Sequence, residues 1–252
     1  MTAVANTDRI LTTHVGSMPR PQDVVDMLFA QDRDELEDQA AFDATLRRAV
    51  SDIVSRQVEA GVDLVSDGEM SKISYATYIR HRLSGFEIGN APRATPKDLD
   101  DYPGFRDRLA QQGGTPKYHR PICTGAITVK DTIALDRDIA NFKAALAECG
   151  GVGGFLNAAS PGAIAVFQPN EYYPDDDAYL EVLAEAMRAE YEAIVAAGLL
   201  LQVDCPDLAM GRHIKFRDLS DEAFLVRAEK QIEALNHALA NVPDVSVRMH
   251  VC

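Results

Sequence analysis

One phrase is written twice in this chain. Glu59-Ala60-Gly61-Val62-Asp63-Leu64-Val65-Ser66-Asp67-Gly68-Glu69 and Ala196-Ala197-Gly198-Leu199-Leu200-Leu201-Gln202-Val203-Asp204-Cys205-Pro206 share a grammar. Each is a helix end, a glycine, an apolar strand and then an acid at the strand's C-terminal end. A strand apolar on both faces is buried on both faces, as in a parallel sheet covered by helices. Parallel neighbours need helical crossovers, and those crossovers are right-handed.

The remainder of the chain keeps the alternation. Strands are expected at Ile10–Val15, Val62–Ser66, Pro121–Val129, Gly154–Ala158, Leu199–Asp204 and from Val245 to Cys252. Helices are expected near residues 22–30, 40–60, 70–82, 135–149, 175–197 and 220–241, where apolar residues recur at three- and four-residue steps or helix formers dominate. From about 84 to 119 the periodicity is lost among scattered Gly, Pro, Asp and Arg, which reads as a surface excursion within one domain spanning 1–252.

Polar residues gather after the strands: Ser17 after the first, Asp67 and Glu69 after the second, Asp204 after the fifth, His250 and Cys252 on the sixth. In a (β/α)8 barrel those ends carry the chemistry. The expected fold is therefore an α/β TIM barrel, apparently truncated after about six of its eight strands. A doubly wound sheet is the alternative, weakened because no Gly-x-Gly-x-x-Gly follows the first strand. An unclosed barrel leaves edge strands that invite self-association, so a homo-oligomer is a possible partner state.

Bulk properties narrow the function. A formal net charge of −14 disfavours nucleic acid as a partner. No stretch has the ~20 apolar residues of a membrane span, and Met1–Asn6 lacks a signal-peptide pattern, so the expected location is cytoplasmic, without a membrane partner. Four widely spaced cysteines, Cys123, Cys149, Cys205 and Cys252, fit reduced thiols or a metal site better than a disulfide framework.

His250 and Cys252 are two apart on a strand and present an imidazole and a thiol on one face. That is half of a zinc site, and also a pattern that occurs as an ordinary buried pair. Zinc with an open position would hold a substrate thiol as a thiolate. A thiol amino acid also needs partners for its ammonium, and Glu69 and Asp204 are of the right type; Ser17, with backbone amides nearby, suits a carboxylate. Each has a plainer reading. Glu69 reads equally as a helix cap, Asp204 before Cys205-Pro206 as a turn former, and Ser17 before Met18-Pro19 as a turn residue. His81, His119 and His237 read as surface residues, and His14 and His213 stay open.

Four motifs in series carry a resemblance. Thr12-Thr13-His14-Val15-Gly16-Ser17-Met18-Pro19-Arg20, Val65-Ser66-Asp67-Gly68-Glu69, the block from Ala189-Glu190-Tyr191 through Gln202-Val203-Asp204-Cys205-Pro206-Asp207-Leu208-Ala209, and Arg248-Met249-His250-Val251-Cys252 resemble the catalytic barrel of cobalamin-independent methionine synthases and their single-barrel relatives. The resemblance implies zinc at the C-terminal face and methyl transfer to homocysteine from 5-methyltetrahydropteroyltriglutamate. It assigns Ser17, Glu69 and Asp204 to the amino-acid end of the thiol substrate, and His250 and Cys252 to zinc. Epoxyalkane:coenzyme M transferases share the barrel and the His-x-Cys, so another thiol and an alkyl donor form the alternative. A non-catalytic barrel remnant is the third reading.

The sequence departs from the synthase pattern in three ways. The N-terminal barrel of the full synthase has no expected counterpart among these 252 residues. Asp204-Cys205-Pro206-Asp207 stands where the synthase has Asp-Glu-Pro. The family's later zinc-binding cysteine falls beyond residue 252, so at most half of the usual metal site is expected here.

Overall fold

The computed structural model describes residues 9–89, 96–112 and 120–252. Its main sheet is parallel, with strands ordered β1 (Leu64–Ser66), β4 (Gly153–Ala159), β5 (Leu200–Asp204) and β6 (Val247–His250). The expected first strand at Ile10–Val15 is reduced to a parallel bridge between Thr13 and Leu64, with Leu64 N donating to Thr12 O at 3.1 Å like an ordinary ladder bond. It lies on the far side of β1, so the wall runs from residues 12–13 through β1, β4 and β5 to β6.

The expected strand at Pro121–Val129 is a correction. The chain is extended only over β3 (Arg120–Cys123), and β3 pairs antiparallel with β2 (Phe86–Gly89) in a separate two-stranded sheet. This ribbon belongs to the excursion expected over 84–119, which also carries α3 (Pro103–Gln112). Residues 90–95 and 113–119, including His119, lie outside the described residues, as do residues 1–8.

The helices follow the crossovers: α1 (Gln22–Asp32), α2 (Gln39–Glu59), α4 (Ile133–Glu148), α6 (Asp176–Ala196) and α7 (Asp221–Ala238). Side-chain caps start three of them. Asp38, Asp175 and Ser220 each accept a backbone N–H three residues on, satisfying a donor the helix itself leaves free. Gly61 and Gly198, after α2 and α6, adopt the left-handed conformation that ends a helix. The expected helix over 70–82 is instead a series of turns closing in a 3-10 turn at Thr77–His81, where Tyr78, Arg80 and Arg82 are all buried. A short helix, α5 (Pro161–Phe167), follows β4 in a stretch to which the sequence analysis assigns no element, with Ser160 as its cap.

The two faces of the sheet differ, and the difference selects the barrel. Val65, Leu156, Ala158, Leu201 and Val203 pack with the helices in the large core. Leu64, Phe155 and Leu200 point the other way and form a second, small cluster with Leu11 from the first segment. Helices thus cover one face, while the other carries this small cluster. A doubly wound sheet would place helices on both. Among the described residues no helix is long and apolar enough to cross a membrane.

Candidate functional site at the C-terminal end of the sheet

Successive layers can be read up the inner face from the strand register. Phe155 pairs with Leu200 in the apolar layer. Above it, Asn157 pairs with Gln202 and Gln202 with Arg248. Above that, Ala159 pairs with Asp204 and Asp204 with His250. Residues two apart share a face of a strand, so Asn157, Gln202, Asp204, Arg248 and His250 all face the interior.

Glu69 reaches this interior through a strained elbow. Gly68 has φ +63° and Glu69 φ +55°, a left-handed conformation uncommon for any side chain other than glycine. Several bonds hold it there. Gln57 of α2 brackets the backbone of Ser66, donating to its carbonyl at 2.8 Å and accepting from its N–H at 3.0 Å. Asp67 Oδ1 accepts from Glu69 N at 3.0 Å. Arg20 donates to the carbonyls of Glu69 and Lys72 at 2.9 and 2.7 Å. At Gly68 an added Cβ would stand 3.0 Å from Met18 Cγ and from Met70 Cε. The elbow therefore needs its glycine both for φ and for space.

The three residues expected to serve a substrate are brought into one network. Ser17 Oγ donates to Glu69 Oε2. Asn157 Nδ2 donates to Glu69 Oε1 and, at 2.9 Å, to Asp204 Oδ2. Gln202 Nε2 donates to Asp204 Oδ1 at 2.8 Å and to Val15 O at 2.9 Å. Glu69 and Asp204 are 1% and 5% exposed. Burial raises the Asp204 pKa and the charge of Glu69 adds to that; the Asn157 and Gln202 hydrogen bonds oppose it. The plainer readings fail at two positions. Glu69 caps no helix, because none follows it, and Asp204 spends both oxygens on side chains of the inner face.

Asn157, Gln202, Arg20 and Lys72 went unremarked in the sequence. Two had a readable signal: Asn157 and Gln202 are amides in the middle of otherwise apolar strands, on the parity that faces inward. Lys72 had none. It is 3% exposed, donates to Asn157 O, and lies 4.6 Å from the centre of the Tyr78 ring.

His250 is on β6 beside Asp204, and its carbonyl accepts from Cys205 N at 2.8 Å. Cys252 is exposed, and its carbonyl accepts from Met210 N at 3.0 Å. Burial and then the nearby Asp204 charge push the Cys252 thiol up, away from thiolate. An imidazole and a thiol suit zinc in kind. They do not complete a centre: among the described residues no three His, Cys, Asp or Glu side chains are placed to hold a metal ion.

The other candidates separate from this site. His14 and His213 are exposed, and His237 bonds Glu185 on the surface at 3.1 Å. His81 is half-buried, against the surface reading, and burial lowers its pKa to about 4. Cys205 is a buried packing residue.

Residues 10–93 match the family described as "Cobalamin-independent synthase, Catalytic domain". A protein named methionine synthase from Sulfolobus acidocaldarius is 25% identical over 242 residues, covering 96% of this chain and 60% of its own length. One of the same name from Pyrococcus furiosus is 23% identical over 243 residues, with coverage of 96% and 61%. This chain thus spans about three fifths of the curated relatives it matches. The fold matches a B12-independent methionine synthase from Shewanella sp. W3-18-1 solved in complex with selenomethionine, with TM-score 0.68 at 17% identity over 96% of this chain and 61% of that one. It also matches a putative vitamin-B12 independent methionine synthase from Listeria monocytogenes, with TM-score 0.63 at 19% identity over 97% and 67%.

Proposed function

This chain is related to the catalytic domain of the cobalamin-independent methionine synthases, and from that premise we propose that it serves transfer of a methyl group to the thiol of homocysteine. One observation carries the reading: Ser17, Glu69 and Asp204 meet at the same end of the sheet as His250 and Cys252. Two buried carboxylates side by side call for a cation between them, and an α-ammonium is such a cation. The thiol end of the same molecule would lie toward His250 and Cys252.

In this reading the chain binds and orients. Glu69 and Asp204 hold the ammonium in hydrogen bonds strengthened by charge. The Ser17 hydroxyl, donating to Glu69, keeps that carboxylate turned inward. Zinc, where the donor set is completed, would hold a thiol as its thiolate. His250 and Cys252 are two donors toward it, and the described residues supply no third. The methyl donor implied by the family is a methylated folate, with the chain acting in the cytoplasm.

Ligand-dependent melting tests the reading. A compound that binds only the folded state raises the melting temperature with its concentration. L-Homocysteine should do so and 2-mercaptoethanesulfonate, coenzyme M, should not. Loss of the homocysteine shift in Glu69→Gln is expected. A shift with coenzyme M alone would replace this reading with thiol alkylation of another substrate.

A further inference from the structure

β4 runs past the end of its neighbour. The β1–β4 register stops at Ser66 and Phe155, because the chain then turns away into the Gly68–Glu69 elbow, yet β4 continues to Ala159. In a parallel ladder alternate residues bond to alternate sides. Ser160 N donates to Asp204 O on β5, so Asn157 and Ala159 turn their backbone groups to the side that β1 has left. Buried backbone groups need partners, and side chains supply them here. Lys72 Nζ donates to Asn157 O. Tyr78 Oη accepts from Ala159 N at 3.3 Å, and Tyr191 Oη donates to Ala159 O at 2.6 Å. Lys72 is also tied at its backbone. Its N–H donates to Glu69 O at 3.0 Å, and its carbonyl accepts from Arg20 at 2.7 Å. Its side chain ends on Asn157, whose carboxamide ends on the Glu69 carboxylate. These contacts close a ring from the Glu69 backbone through Lys72 and Asn157 to the Glu69 side chain. The Tyr78 ring braces it, 4.6 Å from Lys72 Nζ, with Tyr78 Oη donating to Glu190 at 2.7 Å. Lys72, Tyr78, Asn157 and Glu190 are all buried.

We propose that Lys72 and Tyr78 are positioning residues, which stand in for the departed end of β1 and fix the Asn157 carboxamide between Glu69 and Asp204. This rests on the reading of that carboxylate pair as an ammonium site and adds what holds its geometry. The elbow that brings Glu69 into the interior is the same turn that strips β4 of its neighbour. Continued register would have set Gly68 opposite Asn157 and Met70 opposite Ala159. The two side chains therefore restore, from outside the ladder, the bonds that the elbow removes. Asn157 gives one hydrogen to each carboxylate, so a shift of the β4 end disturbs both contacts at once. Hydrogen bonds weaken steeply as their angles close, and a small rotation of the carboxamide is enough. His250 and Cys252 are carried differently: β6 pairs with β5 and not with β4. Loss of Lys72 or Tyr78 should therefore fall on the ammonium end of a ligand and spare its thiol end.

Calorimetric titration of the purified protein with L-homocysteine and with 4-mercaptobutanoate, the same molecule without its amino group, tests this. A charge-assisted bond of ordinary strength predicts that the unaltered protein prefers homocysteine by at least about 10-fold. Lys72→Met removes the donor at similar length and should cut that preference by about 5-fold or more, the equivalent of one ordinary hydrogen bond, while the affinity for 4-mercaptobutanoate holds. Lys72→Arg keeps a donor and should retain part of the preference. Tyr78→Phe should cut the preference in the same direction, and it carries the test if Lys72→Met does not fold. A merely loosened fold would weaken both ligands alike and leave their ratio unchanged. An unchanged ratio in either folded variant therefore overturns the proposal, while the reading of the carboxylate pair as an ammonium site stands. Equal binding of the two thiols by the unaltered protein, or binding of neither, overturns that reading and the proposal with it.

Discussion

Asn157 Nδ2 stands 2.9 Å from Asp204 Oδ2 and donates its other hydrogen to Glu69, so one carboxamide ties together two buried carboxylates. Without it the like charges face each other in a medium that screens them poorly. Asn157→Leu should therefore destabilise the fold by roughly 1–3 kcal/mol, the cost of leaving buried acceptors unpaired, and weaken homocysteine binding. Urea unfolding and calorimetry read the two effects separately. A variant that unfolds like the parent and binds equally well would show that the bridge is incidental.

Asp67 ends β1 fully buried, and burial raises its pKa to about 6; Lys72 and the Glu69 N–H pull it down, while Asp138 and Glu69 push it up. A carboxyl whose folded pKa lies above its unfolded value favours the folded state most when protonated. Its contribution is complete below about pH 4 and is lost as pH rises through about 6. Asp207, at about 6 for the same first cause, acts in the same direction. Asp67→Asn removes one of the two titrations. Melting curves from pH 4.5 to 7.5 should show the variant gaining on the parent as pH rises, by on the order of 2 kcal/mol. Parallel profiles for the two proteins would mean that Asp67 stays ionised throughout.

Arg82 joins Asp138, at 2.7 Å, and Glu190 behind the sheet, with Tyr78 Oη donating to Glu190 at 2.7 Å and the Tyr78 ring 4.8 Å from the guanidinium. All four side chains are buried. Arg82→Met leaves Glu190 without its cation and Asp138 with only Arg137, whose Nε is 3.5 Å away, and should cost about 3–5 kcal/mol in urea unfolding. Adding Asp138→Asn and Glu190→Gln should restore part of that loss, because the penalty comes from the stranded charges.

Gly162, in the first turn of α5, lies against Asp207. A Cβ built there would sit 2.0 Å from Asp207 Oδ2 and 2.6 Å from its Cγ, and Ser160 Oγ donates to Asp207 Oδ1 at 2.7 Å. Gly162→Ala must displace this buried carboxylate and break that bond. A loss of roughly 1–3 kcal/mol is expected, measured as a lower melting temperature. An unchanged melting temperature would mean that the 205–209 turn yields freely.

The sequence by itself determined the local grammar: the helix starts at Asp38, Asp175 and Ser220, the left-handed ends at Gly61 and Gly198, and the buried parallel strands β1, β4 and β5. These depend on a few neighbouring residues and on hydrophobic period, both of which a linear string displays. It also singled out Ser17, Glu69, Asp204, His250 and Cys252, because acids, hydroxyls and thiols at strand ends stand out against apolar runs. What only the tertiary structure decided is where extended segments pair and what inward side chains touch. β3 has the composition of a barrel strand, yet it pairs with β2, because strand pairing depends on partners distant in sequence. The turns at 70–82 are helix-like in composition, yet Tyr78 and Arg82 are drawn into the buried charge cluster instead. Asn157, Gln202 and Arg248 become one layer only when β4, β5 and β6 lie in register. The electrostatics of the site come from that layer: it puts an amide between two carboxylates and a guanidinium diagonal to one of them.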